Sequence, residues 1–311
     1  MAKKKYWNII KVLLKLGFTV LLIYLVFEKI DIRQVKSVFL QSKPAFIIAA
    51  LLCYLMSQVV SSWRLLGFLH CIGLGAGFGF NLRLYMLGMF YNVFLPGGIG
   101  GDGYKIYILR KKFQHPTRKI FIALLLDRVS GLWAICFLAL ALTFFVPAFK
   151  TKEWWPVIFI AGSIAYWLVY KYTFAAFVNN LIKAHAKAIL VQSLQLLSVF
   201  FILLSQNFEG NPSAYLFSFL LSSLATVVPV SIGGLGIREY VIVHAAAFFN
   251  LDQPLAVFTT LCFYLLSTLS ALTGAWFVYR SKEFGPAPNE KQVTNIKEDA
   301  EKGVHLHQQT P

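Results

Sequence analysis

The sequence predicts an all-α integral membrane protein, and three observations support this fold class. Of its 311 residues, 58% are hydrophobic and only 14% are charged, whereas about 25% of the residues in a typical soluble domain are charged. Apolar runs of roughly the length that spans a bilayer, about 20 residues, recur along the chain. The formal net charge is +16, and basic residues beside apolar runs are typical of membrane proteins rather than nucleic-acid-binding proteins.

Eight apolar segments are candidates for transmembrane helices. They cover residues 7–27, 44–63, 78–95, 119–146, 154–170, 190–208, 213–230 and 254–279. The first segment follows three lysines at positions 3–5 but no small-residue cleavage site follows it, so we interpret it as an uncleaved anchor. We expect one polytopic domain over residues 1–280 and a polar, disordered cytoplasmic tail over residues 281–311.

Basic residues indicate the orientation of these segments. Residues 103–126 contain six Lys or Arg and no acidic residue, and Lys171, Lys183 and Lys187 suggest a second basic loop. The loop after the sixth segment contains Glu209 and no base. The positive-inside rule therefore places both termini and both basic loops in the cytoplasm. This orientation leaves only residues 96–109 for the return after the third segment, which is too short for a span and predicts a re-entrant or broken helix.

A ten-residue motif occurs twice along the chain. The sequence PGGIGGDGYK covers residues 96–105 and PVSIGGLGIR covers residues 229–238, a constant offset of 133 residues with six matching positions. The same offset superimposes the fourth segment on the eighth and the third on the seventh. We therefore predict two inverted four-segment repeats, about 1–146 and 147–280, with a broken or re-entrant helix after segments three and seven.

The residue types in the repeated motif favour anion binding. Proline ends a helix, and paired glycines allow close backbone approach and leave N–H groups free at the start of the next helix. Lys105 and Arg238 add a positive charge beside each loop. The candidate substrate-binding residues are Asn92, Gly100, Gly101, Asp102, Lys105, Asp127, Arg128, Gly233, Gly234, Arg238 and Glu239. The alternative is that the glycines only permit tight helix crossing and that the bases only snorkel.

Charged residues inside the fourth segment are a separate feature. A charge at a helix centre costs about 2.5–3.5 kcal/mol on membrane-insertion scales. Asp127 shares a helix face with the small residues Ala123, Ser130, Gly131 and Ala134, so we expect it to point into the bundle. Arg128 lies about 100° round the helix, and both snorkelling and a functional role remain open for it. Arg64, which follows Trp63, has the same two interpretations.

At these motifs the chain resembles the lysylphosphatidylglycerol synthase transmembrane family, also called the flippase-like domain family. The similarity lies in NVFLPGGIGGDGYK (residues 92–105), DRVSG (127–131), PVSIGGLGIRE (229–239) and, more weakly, the Trp63-Arg64 pair. The resemblance extends over residues 7–279 and implies a polytopic inner-membrane protein that moves lipids or glycolipids between leaflets. In longer relatives this region flips an aminoacylated phospholipid made by a soluble C-terminal transferase domain. The predicted tail here, residues 281–311, has only 31 residues, so no transferase domain is expected.

The function expected from the sequence is translocation of a lipid or lipid-linked glycan that is anionic or carries a phosphate, with a phospholipid or polyprenyl-linked lipid as partner. No catalytic residue, metal site or cofactor is expected, and a separate lipid-modifying enzyme is a further possible partner. Two alternatives remain open: a membrane-embedded transferase or phosphatase, and a membrane partner of a lipid-modifying enzyme. Such enzymes usually contain paired carboxylates, metal ligands or a nucleophile with a base, whereas the intramembrane acids here are far apart in sequence.

Overall fold

In the computed structural model, the described residues are 41–94, 100–149, 154–227 and 236–279, and all regular elements within these ranges are helical. A short 3₁₀ helix, Ala175–Asn180, precedes the sixth α-helix. The α-helices, numbered in chain order, are α1 (Pro44–Cys71), α2 (Phe78–Phe94), α3 (Gly100–Phe113), α4 (Thr117–Thr143), α5 (Trp154–Thr173), α6 (Leu181–Leu204), α7 (Ser213–Ala225), α8 (Ile237–Phe249), α9 (Gln253–Leu272) and α10 (Ala275–Tyr279).

Four helical stretches are long and apolar enough to cross a membrane, which agrees with the predicted class of integral membrane protein. They are Pro44–Cys71, Thr117–Thr143, Ala175–Leu204 and Gln253–Phe277. The helices found for the third and seventh predicted segments have 17 and 13 residues. At 1.5 Å per residue they extend about 26 and 20 Å, less than the roughly 30 Å hydrocarbon core. The predicted anchor at residues 7–27 and the tail at 281–311 lie outside the described residues.

The start of α6 differs from the sequence prediction. The helix begins at Leu181 rather than at residue 190, so Lys183 and Lys187 belong to a helix and the predicted loop there was wrong. The physical reason is that Ala184, His185 and Ala188 are buried on one face of this first part of the helix. The ammonium of Lys187 lies 4.0 Å from the Trp63 ring on α1, so its charge does not interrupt the packing.

Helices α1 and α6 pack antiparallel at the centre of the fold. The backbone N–H of Lys43, just before α1, donates to the carbonyl of Ser205, just after α6 (3.0 Å). Further along, the Ser198 hydroxyl donates to the carbonyl of Ala50 (2.8 Å). The start of α1 therefore lies beside the end of α6, and the end of α1 lies near the basic start of α6.

The ends of four helices share one basic side of the bundle. Trp133 on α4 donates its indole N–H to the hydroxyl of Ser163 on α5 (3.0 Å), and α5 runs back along α4. The basic end of α3, the start of α4, the end of α5 and the start of α6 therefore lie together. The basic residues at these ends are Arg110, Lys111, Lys112, Arg118, Lys119, Lys171, Lys183 and Lys187. We call this the basic side.

Helices α2 and α3 form a hairpin that opens toward the basic side. The rings of Tyr91 and Tyr104 lie 4.7 Å apart, and those of Phe80 and Phe113 lie 5.7 Å apart. The first pair joins the end of α2 to the start of α3, and the second joins the start of α2 to the end of α3. The two helices are therefore antiparallel. Their inner ends are the residues that flank the first glycine motif.

Helices α7 and α8 form a second hairpin, which opens toward the opposite side. The rings of Phe217 and Phe249 lie 5.7 Å apart, and the Tyr215 oxygen accepts the backbone N–H of Asp252 after α8 (3.0 Å). Leu203, near the end of α6, packs in the same cluster as Tyr215. The open end of this hairpin therefore lies at the end of α6, away from the basic side. The two motif-bearing hairpins enter the bundle from opposite sides.

Gly274, between α9 and α10, lies where the helices of the bundle are closely packed. A Cβ atom built on it would collide with the backbone carbonyl of Met86 and the Cβ of Phe90 on α2. We expect Gly274→Ala to destabilise the fold by about 1–3 kcal/mol, because overpacking forces the helices apart. Thermal unfolding of the purified protein in detergent measures the effect. The matched control is Gly162→Ala on α5, where an added Cβ meets nothing within 4 Å; an equal loss in both variants would contradict the prediction.

Candidate functional site

A buried ion pair joins the two central candidate spans α1 and α4. Arg64 donates from Nε to Asp127 Oδ1 (2.8 Å) and from Nη2 to Asp127 Oδ2 (3.2 Å). The side chains retain 7% and 10% of their accessible surface. Because a planar guanidinium matches a carboxylate in this two-bond geometry, the two charges pair away from water, while Arg64 Nη1 is buried without a partner among the described residues. Arg64 thus joins two helices inside the bundle and is not an anchor at the membrane interface.

The small residues of the DRVSG sequence explain how this pair fits between the helices. Ala123, Ser130 and Ala134 are fully buried on the face that carries Asp127, which confirms the expected inward direction of the carboxylate. A Cβ on Gly131 would lie 3.4 Å from Arg64 Nη1. A side chain larger than a methyl group at this position would therefore collide with the guanidinium. The aspartate supplies the charge and the glycine supplies the space.

The neighbouring Arg128 makes a different ion pair, with Asp102 on α3. The guanidinium contacts Asp102 Oδ2, and half of the Arg128 side chain (47%) stays exposed. Lys105 Nζ donates to Asp102 Oδ1 (3.3 Å) and lies 4.4 Å from the Tyr85 ring centroid. Asp102 therefore has two cationic partners, and the buried Lys105 is already paired.

Close backbone contact positions the first glycine motif. Asn92 Oδ1, near the end of α2, accepts the N–H of Gly101 near the start of α3 (2.9 Å). A Cβ on Gly101 would overlap the carbonyl oxygen of Gly88, and a Cβ on Gly88 would overlap the Lys105 side chain. Gly101 is therefore required for the approach of α2 and α3, whereas a side chain at Gly88 would displace the flexible end of Lys105. This contact brings Asn92, Gly101 and Lys105 together.

In the second motif, aromatic rings lie beside the cation, and an acid, Glu239, follows it in the chain. The Arg238 guanidinium on α8 lies 5.4 Å from the Phe219 ring centroid and 5.5 Å from that of Phe263. Its Nη1 is buried and has no hydrogen-bond partner within the described part of the chain. Glu239 accepts the Gly236 N–H at Oε2 (2.7 Å), and its buried Oε1 likewise has no partner there. Arg238 thus retains a hydrogen-bond donor for another group.

Two tyrosines connect the regions of the two motifs. Tyr54 on α1 is in electrostatic contact with both Tyr85 on α2 and Arg238 on α8. Its ring packs edge-on against Phe263 at 5.3 Å. Since Tyr85 also lies beneath Lys105, a run of polar groups leads from one motif to the other through the bundle. Neither tyrosine was predicted, since apolar neighbours made both appear to be ordinary core residues.

The predicted site residues thus divide into three groups. The α2–α3 hairpin and its partner on α4 contain Asn92, Gly100, Gly101, Asp102, Lys105 and Arg128. Asp127 pairs separately with Arg64. Arg238 and Glu239 lie on α8. Gly233 and Gly234 lie outside the described residues. The role of Arg64 was not identified from sequence, although an arginine and an aspartate inside apolar segments are the signal that suggests a pair.

Comparison with known families gives one result. The sequence model described as the lysylphosphatidylglycerol synthase TM region matches residues 12–190, more than half of the chain. The match includes the first glycine motif, the DRVSG sequence and the Trp63-Arg64 pair, but not the second glycine motif. No similar protein was found among the curated proteins.

The Arg64–Asp127 pair leads to a stability prediction. Asp127→Ala leaves a buried arginine without its counter-ion, so we expect a loss of about 3–5 kcal/mol. The double variant Arg64→Met, Asp127→Ala removes both charges and should be clearly more stable than Asp127→Ala. Thermal unfolding of Arg64→Met, Asp127→Ala and the double variant in detergent gives the coupling. Additive losses from the two sites would contradict a direct buried pair.

Proposed function

Since the chain belongs to the lysylphosphatidylglycerol synthase transmembrane family, we propose that it is a flippase-like translocase that moves a phosphate-bearing lipid between membrane leaflets. The observation that carries this proposal is Arg238, a guanidinium with a buried, unpartnered Nη1 at the inner end of a helical hairpin. A cation in such a place favours an anionic headgroup that has left the aqueous surface.

Arg238 is the principal phosphate contact in this proposal. A guanidinium can hold two oxygens of one phosphate, and this geometry adds strength and direction to the bond. Phe219 and Phe263 hold its plane in position. Lys105 contributes less than the sequence alone suggested, because Asp102 already neutralises it.

Arg128 and Asp102 form the mobile contact of the proposed mechanism. Their ion pair joins α4 to the α2–α3 hairpin, and Arg128 is half exposed. A lipid phosphate competes with the carboxylate of Asp102 for Arg128 and Lys105, so binding loosens the hairpin from α4. During this step Asp127 stays paired with Arg64, and this ion pair keeps α1 and α4 together.

The proposed architecture is a pair of inverted repeats in the inner membrane, with the basic side in the cytoplasm. The two hairpins support it because they carry equivalent motifs and open toward opposite sides. Their helices are comparably short: 17 and 14 residues for the first hairpin, 13 and 13 for the second. Broken helices that face one another in inverted halves are typical of transporter substrate sites.

Two open apolar grooves lie on the surface between α4 and α5, and they are compatible with a lipid substrate. Their volumes are about 330 Å³ and 370 Å³. The lining side chains are almost entirely hydrocarbon or aromatic, among them Phe137, Leu140, Phe159 and Ile164. We propose that these grooves take an acyl or polyprenyl chain. A separate lipid-modifying enzyme would then supply or use the translocated lipid.

Leaflet exchange in reconstituted vesicles tests the function. With fluorescent phosphatidylglycerol as the probe, we expect Arg238→Ala to slow exchange about 10- to 100-fold, since a hydrogen bond to a charged group contributes roughly 1.5–3 kcal/mol. Arg238→Lys should be intermediate because it keeps the charge but not the planar fork. The matched control is Arg118→Ala, at an exposed position on the basic side.

Two outcomes would contradict the proposal. One is equal exchange by wild type, Arg238→Ala and protein-free vesicles. The other is recovery of a chemically altered lipid, which would favour the membrane-embedded transferase or phosphatase instead. Folding of each variant is checked by its thermal unfolding and its elution as a single species in detergent.

A further inference from the structure

The carboxylate of Glu239 has an unusual environment for a charged group. Its side chain is buried, with 4% of the residue surface exposed. One oxygen, Oε2, accepts the N–H of Gly236 (2.7 Å), while Oε1 is buried without a partner among the described residues. A buried charge is expensive unless it is paired and fully hydrogen-bonded. The charge of Glu239 is therefore supported by the Gly236 N–H at the helix N-terminus and by a nearby cation.

That cation is Arg238, the residue before Glu239 on α8. The two charges lie within electrostatic range of each other. From the neighbouring helices, the phenols of Tyr54 on α1 and Tyr264 on α9 also lie within electrostatic range of Arg238. Helix α7 contributes Tyr215, which lies with Asp252 at the other end of α8. Within the described ranges, Arg238 is therefore the ionic partner that stabilises the Glu239 carboxylate.

The other two acids of the motif regions are already fully paired. Asp102 contacts both Lys105 and Arg128, and Asp127 makes two bonds to Arg64. Glu239 differs from both, because its Oε1 is buried without a partner among the described residues.

We propose that binding of an anionic headgroup at Arg238 is coupled to the uptake of one proton by Glu239. This inference rests on the proposed function, since it assigns Arg238 to the headgroup phosphate. A phosphate on Arg238 adds a second negative charge beside Glu239, and neighbouring like charges favour the protonated carboxyl. The proton comes from the aqueous phase, so a singly charged headgroup and one proton together leave the net charge of the site unchanged.

The coupling is reciprocal. If the headgroup favours protonation of Glu239, then protonation of Glu239 must tighten headgroup binding by the same factor. Lipid affinity therefore rises as the pH falls, and a transmembrane pH difference can drive net lipid movement. Translocation then draws on a proton gradient through a residue of this chain.

Proton uptake on lipid binding tests the proposal directly. The purified full chain in detergent is titrated with a short-chain phosphatidylglycerol in weakly buffered solution that contains a pH-indicator dye. We expect wild type to take up about one proton per lipid bound. Its affinity should change by up to about tenfold per pH unit in the range where Glu239 titrates, as linkage of one proton requires. This measurement on wild type does not depend on the folding of any variant.

Two variants identify the residue that takes up the proton. Glu239→Gln keeps the size of the side chain and an oxygen that can accept the Gly236 N–H, so we expect it to bind lipid with no proton uptake and no pH dependence. The control is Glu209→Gln, in the loop after α6, which should behave as wild type. Lipid binding without proton uptake in wild type, or undiminished uptake in Glu239→Gln, would overturn the coupling alone. Failure of wild type to bind phosphatidylglycerol would overturn both this coupling and the proposed function.

Discussion

The arrangement of the site depends on one buried ion pair, between Arg64 on α1 and Asp127 on α4. Two charges placed inside membrane-spanning helices are each unfavourable alone and tolerable together. Their pairing sets the rotation of α4 about its axis, because only one face of that helix can meet Arg64. The next residue, Arg128, is consequently turned about 100° away, where it contacts Asp102 on α3.

The two copies of the glycine motif have opposite electrostatic character. In the first, Asp102 neutralises Lys105 and also engages Arg128. In the second, aromatic rings hold Arg238 and leave one N–H group unpartnered within the described ranges. A cation that is paired with an acid on another helix must break that ion pair before it can bind a ligand. A cation that lies beside aromatic rings keeps its N–H donors free for a ligand. The two motifs therefore hold their cations in different ways.

Sequence reasoning predicted part of this site correctly. The inward direction of Asp127 followed from the small residues on its helix face, because small side chains mark a packed surface. The closeness of Asn92 and Lys105 to the first glycines followed from their short separation in the chain. Tyr54 and Tyr85 were not predicted because a tyrosine in an apolar run resembles any other core residue. The extension of α6 back to Leu181 was missed because its lysines concealed the buried face of the first turns.

The sequence alone determined that the chain is an all-helical membrane protein with a duplicated glycine motif, because run length, composition and local repetition are properties of neighbouring residues. Only the tertiary structure decided which charges neutralise one another. Arg64 and Asp127 are 63 positions apart, and no local rule relates such residues. Their pairing depends on how α1 and α4 pack, and so does the difference between a neutralised Lys105 and an available Arg238.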